Sequence, residues 1–318
     1  MSREKTPDIA ASVRRRLLNI IRDTGDDAAL VWSRYATERL LYRISVSDFA
    51  DDFVLKGAML FMAWTGQPHR PTVDIDLLGR GDDSAERAER IFRAVCRLEV
   101  QSDGLTFDPD SVKVVPIREA QQYKGQRVTL TAFLGKARMP VQVDIGFGDV
   151  VTPRARKIDY PTILNFPRPR IRAYPRETVV AEKLQAMVML GMTNSRMKDF
   201  YDLYVLSRDF AFDGGILSRA IRATFNRRKT EIPREMPLAL TDEFERDETK
   251  SIQWKAFIRK GRLEQNVPEF PIVLARLRSF LLPVLGAALG ASSAPGIWSP
   301  RGRSTDFWTA AVEEEGRK

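Results

Sequence analysis

The sequence predicts an α+β protein, with a mixed sheet in its first half and a largely helical lobe behind it. Three observations carry this reading. Short, β-rich, alternating stretches concentrate between residues 51 and 150. Helix-period apolar stripes dominate both ends of the chain. Between them, Pro153, Pro161, Pro167, Pro169 and Pro175 mark a seam that reads as a connecting loop between two lobes.

Taken in order, residues 8–23 form an amphipathic helix with Ile9, Val13, Leu17, Ile20 and Ile21 on one face. A second helix spans about 27–44. Residues 51–60 read as a short strand turning into a helix, which Gly66-Gln67-Pro68 ends. Thr72-Val73-Asp74-Ile75-Asp76-Leu77-Leu78 is β-rich and bounded by Pro71 and Gly79, so it reads as a strand. A helix over 83–98 follows, then strands near 112–117, 126–134 and 139–146. Beyond Pro175, helices are expected at 176–190, 196–208, 214–227, 249–262 and 269–285. The organisation expected is 1–50, helices packing on the core; 51–150, the sheet-bearing core; 151–285, the helical lobe; and 286–318, a flexible tail with a docking role open to Trp298, Phe307 and Trp308.

At 318 residues and 43 % hydrophobic content, the chain can bury a sizeable core. It shows no run of eighteen apolar residues, so no membrane span is expected, and its N-terminal segment is charged and amphipathic. A cytoplasmic location is the expectation. The single cysteine, Cys96, excludes an internal disulfide and, with His69 the lone histidine, argues against structural zinc. Cys96 reads as a buried small hydrophobe. The formal charge of +9 and pI near 9.7 favour a polyanionic partner such as RNA or DNA.

The chemistry concentrates on carboxylates. Residues two apart on a strand share a face, so Asp74 and Asp76 project together while Val73, Ile75 and Leu77 turn to the core. Two like charges so close repel unless a cation lies between them. Mg²⁺ accepts one or two carboxylates together with nucleotide phosphates. A solvated edge strand would display the same pattern, and three neighbouring features, each with a plain structural alternative such as an ordinary turn glycine at Gly57, weigh toward a nucleotide site. Lys56-Gly57-Ala58 offers a glycine turn and a point charge for a phosphate. Val143-Asp144-Ile145 sets Asp144 on a second alternating strand, as a third metal ligand, as a general base or simply as a strand-end turn residue. Lys183 lies on the flank of the stripe formed by Val180, Leu184, Met187 and Val188, where it either reaches a cleft or covers apolar surface. Arg196-Met197-Lys198-Asp199 opens the next helix, capped by Asn194 or Ser195.

Together these segments resemble the AbiEii/AbiGii family of nucleotidyltransferase toxins from type IV toxin–antitoxin and abortive-infection systems. The likeness rests on Leu55-Lys56-Gly57-Ala58, Arg70-Pro71-Thr72-Val73-Asp74-Ile75-Asp76, Val143-Asp144-Ile145, Glu182-Lys183-Leu184 and Arg196-Met197-Lys198-Asp199-Phe200-Tyr201-Asp202-Leu203. It implies a DNA-polymerase-β-like nucleotidyltransferase core with a helical lobe, NTP and Mg²⁺ as substrate and cofactor, tRNA 3′ ends as acceptor, and a cognate antitoxin as partner. It implies that Asp74, Asp76 and Asp144 hold metal. It implies that Lys183 and Asp199 are required for activity and that Thr72 lines the site; Lys56, Gly57, Thr72, Lys183, Arg196 and Lys198 are the residues expected to bind the nucleotide. Ala58 stands where the family often has a second glycine, which leaves Gly57 to shape the turn.

Two rival readings keep the sequence features: an adenylylating nucleotidyltransferase whose acceptor is protein, and an inactive RNA- or DNA-binding regulator. In either RNA reading, Arg154, Arg156, Lys157, Arg168, Arg170, Arg172, Arg227, Arg228 and Lys229 are available for the phosphate backbone. Asp51-Asp52 reads as a surface turn and His69 as a loop residue.

Overall fold

The computed structural model describes residues 8–118, 124–263, 267–300 and 307–309. The chain divides into two compact units: Met1–Gly148 with Arg156–Ala173, and Asp149–Ala155 with Tyr174–Lys318.

In the first unit, α1 (Ile9–Thr24) is capped by Asp8, whose carboxylate accepts from Ala11 N at 2.9 Å, and ends at Gly25 in left-handed backbone. Asp27 caps α2 (Ala28–Val46) through Ala29 N and Leu30 N. The chain continues through β1 (Phe53–Lys56), α3 (Met59–Thr65), β2 (Asp74–Gly79), α4 (Ala85–Arg97), β3 (Leu105–Arg118), β4 (Lys124–Leu134), β5 (Ala137–Phe147), β6 (Arg156–Asp159) and β7 (Arg170–Ala173). The strands form one mixed sheet in the order β3-β4-β5-β2-β1-β7-β6. β2 runs parallel to β5 and β1 parallel to β7, and the other neighbours are antiparallel.

Alternation explains the layering. Ile75, Leu77, Val143, Ile145 and Val128 are fully or almost fully buried, as are Val13, Leu17, Tyr35, Leu40, Ile91 and Phe92 from α1, α2 and α4. Burial of this apolar surface is the main stabilising term. A buried Arg43 donates to both oxygens of Asp103 at 2.7 and 3.1 Å, a bidentate pair that satisfies two charges withdrawn from water. Cys96 is buried as expected, and burial pushes its thiol up to about 12.

The second unit contains α5 (Arg176–Leu190), α6 (Met197–Asp209), β8 (Phe212–Asp213), α7 (Gly214–Arg227), α8 (Asp242–Arg246), α9 (Glu248–Gly261), α10 (Phe270–Leu289), β9 (Ile297–Trp298) and β10 (Trp308–Thr309). Its core is aromatic: Phe200, Phe225, Phe244 and Phe280 are fully buried. By length and composition α10 could cross a membrane, although the run carries Arg276 and Arg278. Its buried face is occupied by Val273, Leu274, Leu277, Phe280 and Leu281, which makes it the core helix of this unit.

Three expectations are corrected. The segment 150–175 is more than a connecting loop, because its β6 and β7 close the sheet of the first unit. The segment from Gly286 is partly ordered: α10 continues to Leu289, β9 pairs with β8 and β10 with β9, and Trp298 is fully buried with its indole N–H donating to Ser207 O at 2.7 Å. A large aromatic ring outweighs the Gly/Ala/Ser/Pro composition that suggested flexibility. Most of 301–318 lies outside the described residues. Val73, expected to face the core, precedes β2 and is 45 % exposed.

Candidate active site

The sheet gathers four charged residues into one row. Cα pairing sets Lys56 of β1 opposite Asp76 of β2, Asp76 beside Asp144 of β5, and Asp144 opposite Arg127 of β4. The next row on this face holds Asp74, Gln142 and Thr129. Asp74, Asp76 and Asp144 are half-buried, whereas Ile75 and Leu77 are fully buried. The two aspartates of β2 therefore share the sheet face opposite the core.

Gly57 explains how Asp76 fits. Its φ is +74°, a conformation that favours glycine, and a Cβ there would lie 2.6 Å from Asp76 Cγ. The turn and the carboxylate are packed directly together. Ala58 has helical backbone, φ −70° and ψ −23°, so this turn has no need of a second glycine. Across the row, a Cβ on Gly146 would lie 3.3 Å from Lys56 Nζ, so the lysine side chain extends over β5.

Asp144 is held by Arg127, with Nε donating to Oδ1 at 2.8 Å and Nη2 to Oδ2 at 2.7 Å. Gln142 Nε2 adds longer contacts at 3.3 and 3.4 Å. Asp144 foremost, then Asp74 and Asp76, hold the Arg127 guanidinium in its charged form, overcoming its partial desolvation. Among the described residues, no three acidic, His or Cys side chains converge to hold one ion. The donor chemistry that suits Mg²⁺ is thus that of the Asp74 and Asp76 carboxylates, hard oxygen ligands on one face of the sheet. Asp144 stands next to that pair with its oxygens engaged by Arg127. Thr72 is half-buried in the coil before β2.

The second unit carries its own ionic cluster. Lys183 Nζ on α5 donates to Asp199 Oδ1 at 2.6 Å and pairs with Asp202 Oδ2 at 2.7 Å, both on α6. Both aspartate side chains are 1 % exposed. Arg196 Nε lies 2.7 Å from Asp199 Oδ2. Burial pushes the Asp199 carboxyl upward, but Lys183 and then Arg196 outweigh it and hold the group below the usual aspartate range. Lys198 is exposed. Asn194 Oδ1 accepts from Arg196 N at 2.9 Å, while α6 itself has no side-chain cap.

The sequence reading passed over Arg127 and gave Asp202 no role. Nothing local marks Arg127, because its importance comes from the β4–β5 register. Asp202 had a signal: it lies three residues beyond Asp199, one helical turn on, and so faces the same lysine. Of the basic residues considered for RNA, Arg228 serves the fold, pairing with Asp149 at 3.0 Å and Glu182 at 3.3 Å at 14 % side-chain exposure. Arg172 and Lys157 pair with Asp51, at 3.0 and 3.6 Å. Arg154, Arg156, Arg168, Arg170, Arg227 and Lys229 face solvent. His69 stacks on Phe61 with ring centroids 3.6 Å apart, and Asp52 accepts from Arg87 at 2.7 Å.

A mixed sheet with paired carboxylates beside a glycine turn and a lysine is the arrangement expected of a nucleotidyltransferase. The chain belongs to the AbiEii family: residues 39–276 match the family described as nucleotidyl transferase AbiEii toxin, type IV TA system. No curated protein matches it. Among solved structures it is similar to JHP933 from Helicobacter pylori, at 11 % identity and TM-score 0.48 over 84 % of this chain and 95 % of that one. A proposed nucleotidyltransferase, also from H. pylori, matches at 10 % identity and TM-score 0.47 over 83 % and 97 %.

Proposed function

We propose that this toxin transfers a nucleoside monophosphate from an NTP to the 3′-hydroxyl of an RNA, in the first instance the acceptor end of tRNA, and so blocks translation. The observation that supports the reading is the close packing of Asp76 on Gly57, which sets the carboxylate pair directly beside a glycine turn. Asp74 and Asp76 would hold Mg²⁺, which supplies charge neutralisation for the phosphate oxygens. Lys56 and the backbone at Gly57 steady the triphosphate. The 3′-oxygen attacks the α-phosphorus as the bond to the β-phosphate oxygen breaks and pyrophosphate leaves. Asp144, beside Asp76, is the carboxylate assigned to take the hydroxyl proton, which requires it to loosen its pairing with Arg127. In the second unit, Asp199 and Asp202 fix the Lys183 ammonium, and Lys183 and Asp199 are the residues of that unit that the family resemblance makes necessary for activity. Thr72 remains assigned to the nucleotide, and the exposed arginines and Lys229 to the RNA backbone. The toxin acts in the cytoplasm, restrained by an antitoxin.

The test is incubation of the protein with Mg²⁺, total tRNA and each α-labelled NTP in turn. Label on RNA that RNase removes supports the proposal. Label on protein that survives RNase moves the acceptor to a hydroxyl side chain. Salt-dependent RNA binding without any transfer supports the inactive regulator.

A further inference from the structure

One recess in the first unit touches the chemistry above only at Asp74. It measures about 600 Å³ and lies where the start of α2 meets β5. Its apolar wall includes Trp32, Val73, Met139 and Val141, and its polar groups include Asp74 and Gln142. The sheet makes the notch: β5 pairs with β4 from Ala137 onward, but with β2 only from Gln142 onward. Residues 138–141 therefore extend past the beginning of β2, and α2 borders the gap. Val73 is 45 % exposed because no strand covers it there. Trp32 is half-buried, with the Arg14 guanidinium 5.9 Å from its ring centroid.

An apolar recess with an aromatic wall and a few polar groups fits a flat heterocycle better than a phosphate or an aliphatic chain. Asp74 belongs both to this wall and to the carboxylate pair, so the occupant must be joined to the reacting atoms. The sheet order then decides which nucleoside it is. β2 stands between β1, which leads into the Gly57 turn, and β5, which borders the recess. In-line transfer needs the leaving pyrophosphate and the attacking hydroxyl on opposite sides of the α-phosphorus. With the triphosphate on the β1 side, the recess lies on the side from which the hydroxyl arrives.

We infer that the recess beside Asp74 seats the 3′-terminal nucleoside of the acceptor RNA, its base stacked on Trp32. The exposed Arg138 at the rim meets the adjoining phosphate. The inference rests on the nucleotidyltransferase reading and adds to it the place of the acceptor.

The experiment measures anisotropy of a 5′-fluorescein single-stranded RNA with a free 3′-hydroxyl, against the same RNA lacking its 3′-terminal base, without added metal. Wild type should bind the intact RNA roughly tenfold more tightly than the abasic one. Trp32→Leu should erase that difference, Trp32→Phe should retain most of it, and both should melt close to wild type. NTP binding in Mg²⁺, measured by calorimetry, should be the same for all three. A preserved difference in Trp32→Leu overturns the inference, as does a wild type that ignores the missing base. Loss of NTP affinity in Trp32→Leu reassigns the recess to the incoming base and also overturns it. If wild type fails to bind NTP at all, the nucleotidyltransferase reading itself fails, which is a separate result.

Discussion

The Asp76 carboxylate occupies the space that a side chain on Gly57 would need. Gly57→Ala meets two penalties, a non-glycine residue at φ +74° and a Cβ 2.6 Å from Asp76 Cγ. It should cost roughly 1–3 kcal/mol of stability. Nucleotide transfer should fall at least tenfold, because the carboxylate is displaced from its partner Asp74. Denaturant unfolding and a transfer assay check the two effects, and a Gly57→Ala protein with wild-type activity would remove the cradle from the account.

Arg127 keeps Asp144 from adding its charge to that of Asp76. The pair is partly exposed, with side-chain exposures of 41 % and 21 %, so Arg127→Gln should cost only about 0.5–1 kcal/mol without metal. With Asp144 released, three carboxylates can share a cation. Mg²⁺ should then raise the Tm of Arg127→Gln more than that of wild type. Equal shifts would mean that Asp144 stays apart from the metal whatever Arg127 does.

The Lys183 cluster behaves differently because it is buried. Lys183→Met leaves two carboxylates, each 1 % exposed, without their ammonium. A loss of roughly 3–5 kcal/mol is expected. Asp202→Asn keeps a hydrogen-bonding group at the lysine and should cost less, while reducing transfer through a misplaced Lys183. Urea titrations of the two variants, set beside their kcat values, distinguish support of the fold from positioning of the lysine.

Asp199 also gives the protein an acid limb. Its folded pKa lies below the usual aspartate value, since Lys183 and Arg196 outweigh burial. Its contribution to stability is therefore complete above the unfolded value near 4 and is lost as pH falls through the lower folded value. Stability measured from about pH 5 downward should fall less steeply in Asp199→Asn than in wild type. Parallel curves would mean that other groups set the limb.

How far the sequence reached can be argued from particular residues. Period-2 alternation set Ile75 and Leu77 inward and Asp74 and Asp76 outward, and the helices from 176 to 227 fall within a residue or so of their expected bounds. Local patterns sufficed there because each element buries one face. The β1–β2–β5–β4 row did not follow, since register is a non-local property, and with it Arg127 stayed hidden. β6 and β7 lay beneath a proline-rich composition that read as a loop. Trp298 was marked as a docking residue, but its depth of burial depends on packing with Phe280 and Phe307, at ring centroids of 4.8 and 4.7 Å.

The most direct test of the account is single-turnover transfer from an α-labelled NTP to RNA by wild type, Asp74→Asn and Asp76→Asn, with and without Mg²⁺. The account predicts labelled RNA from wild type only when Mg²⁺ is present, and a fall of roughly two to three orders of magnitude in each variant at unchanged Tm. Transfer by Asp74→Asn at the wild-type rate would contradict it.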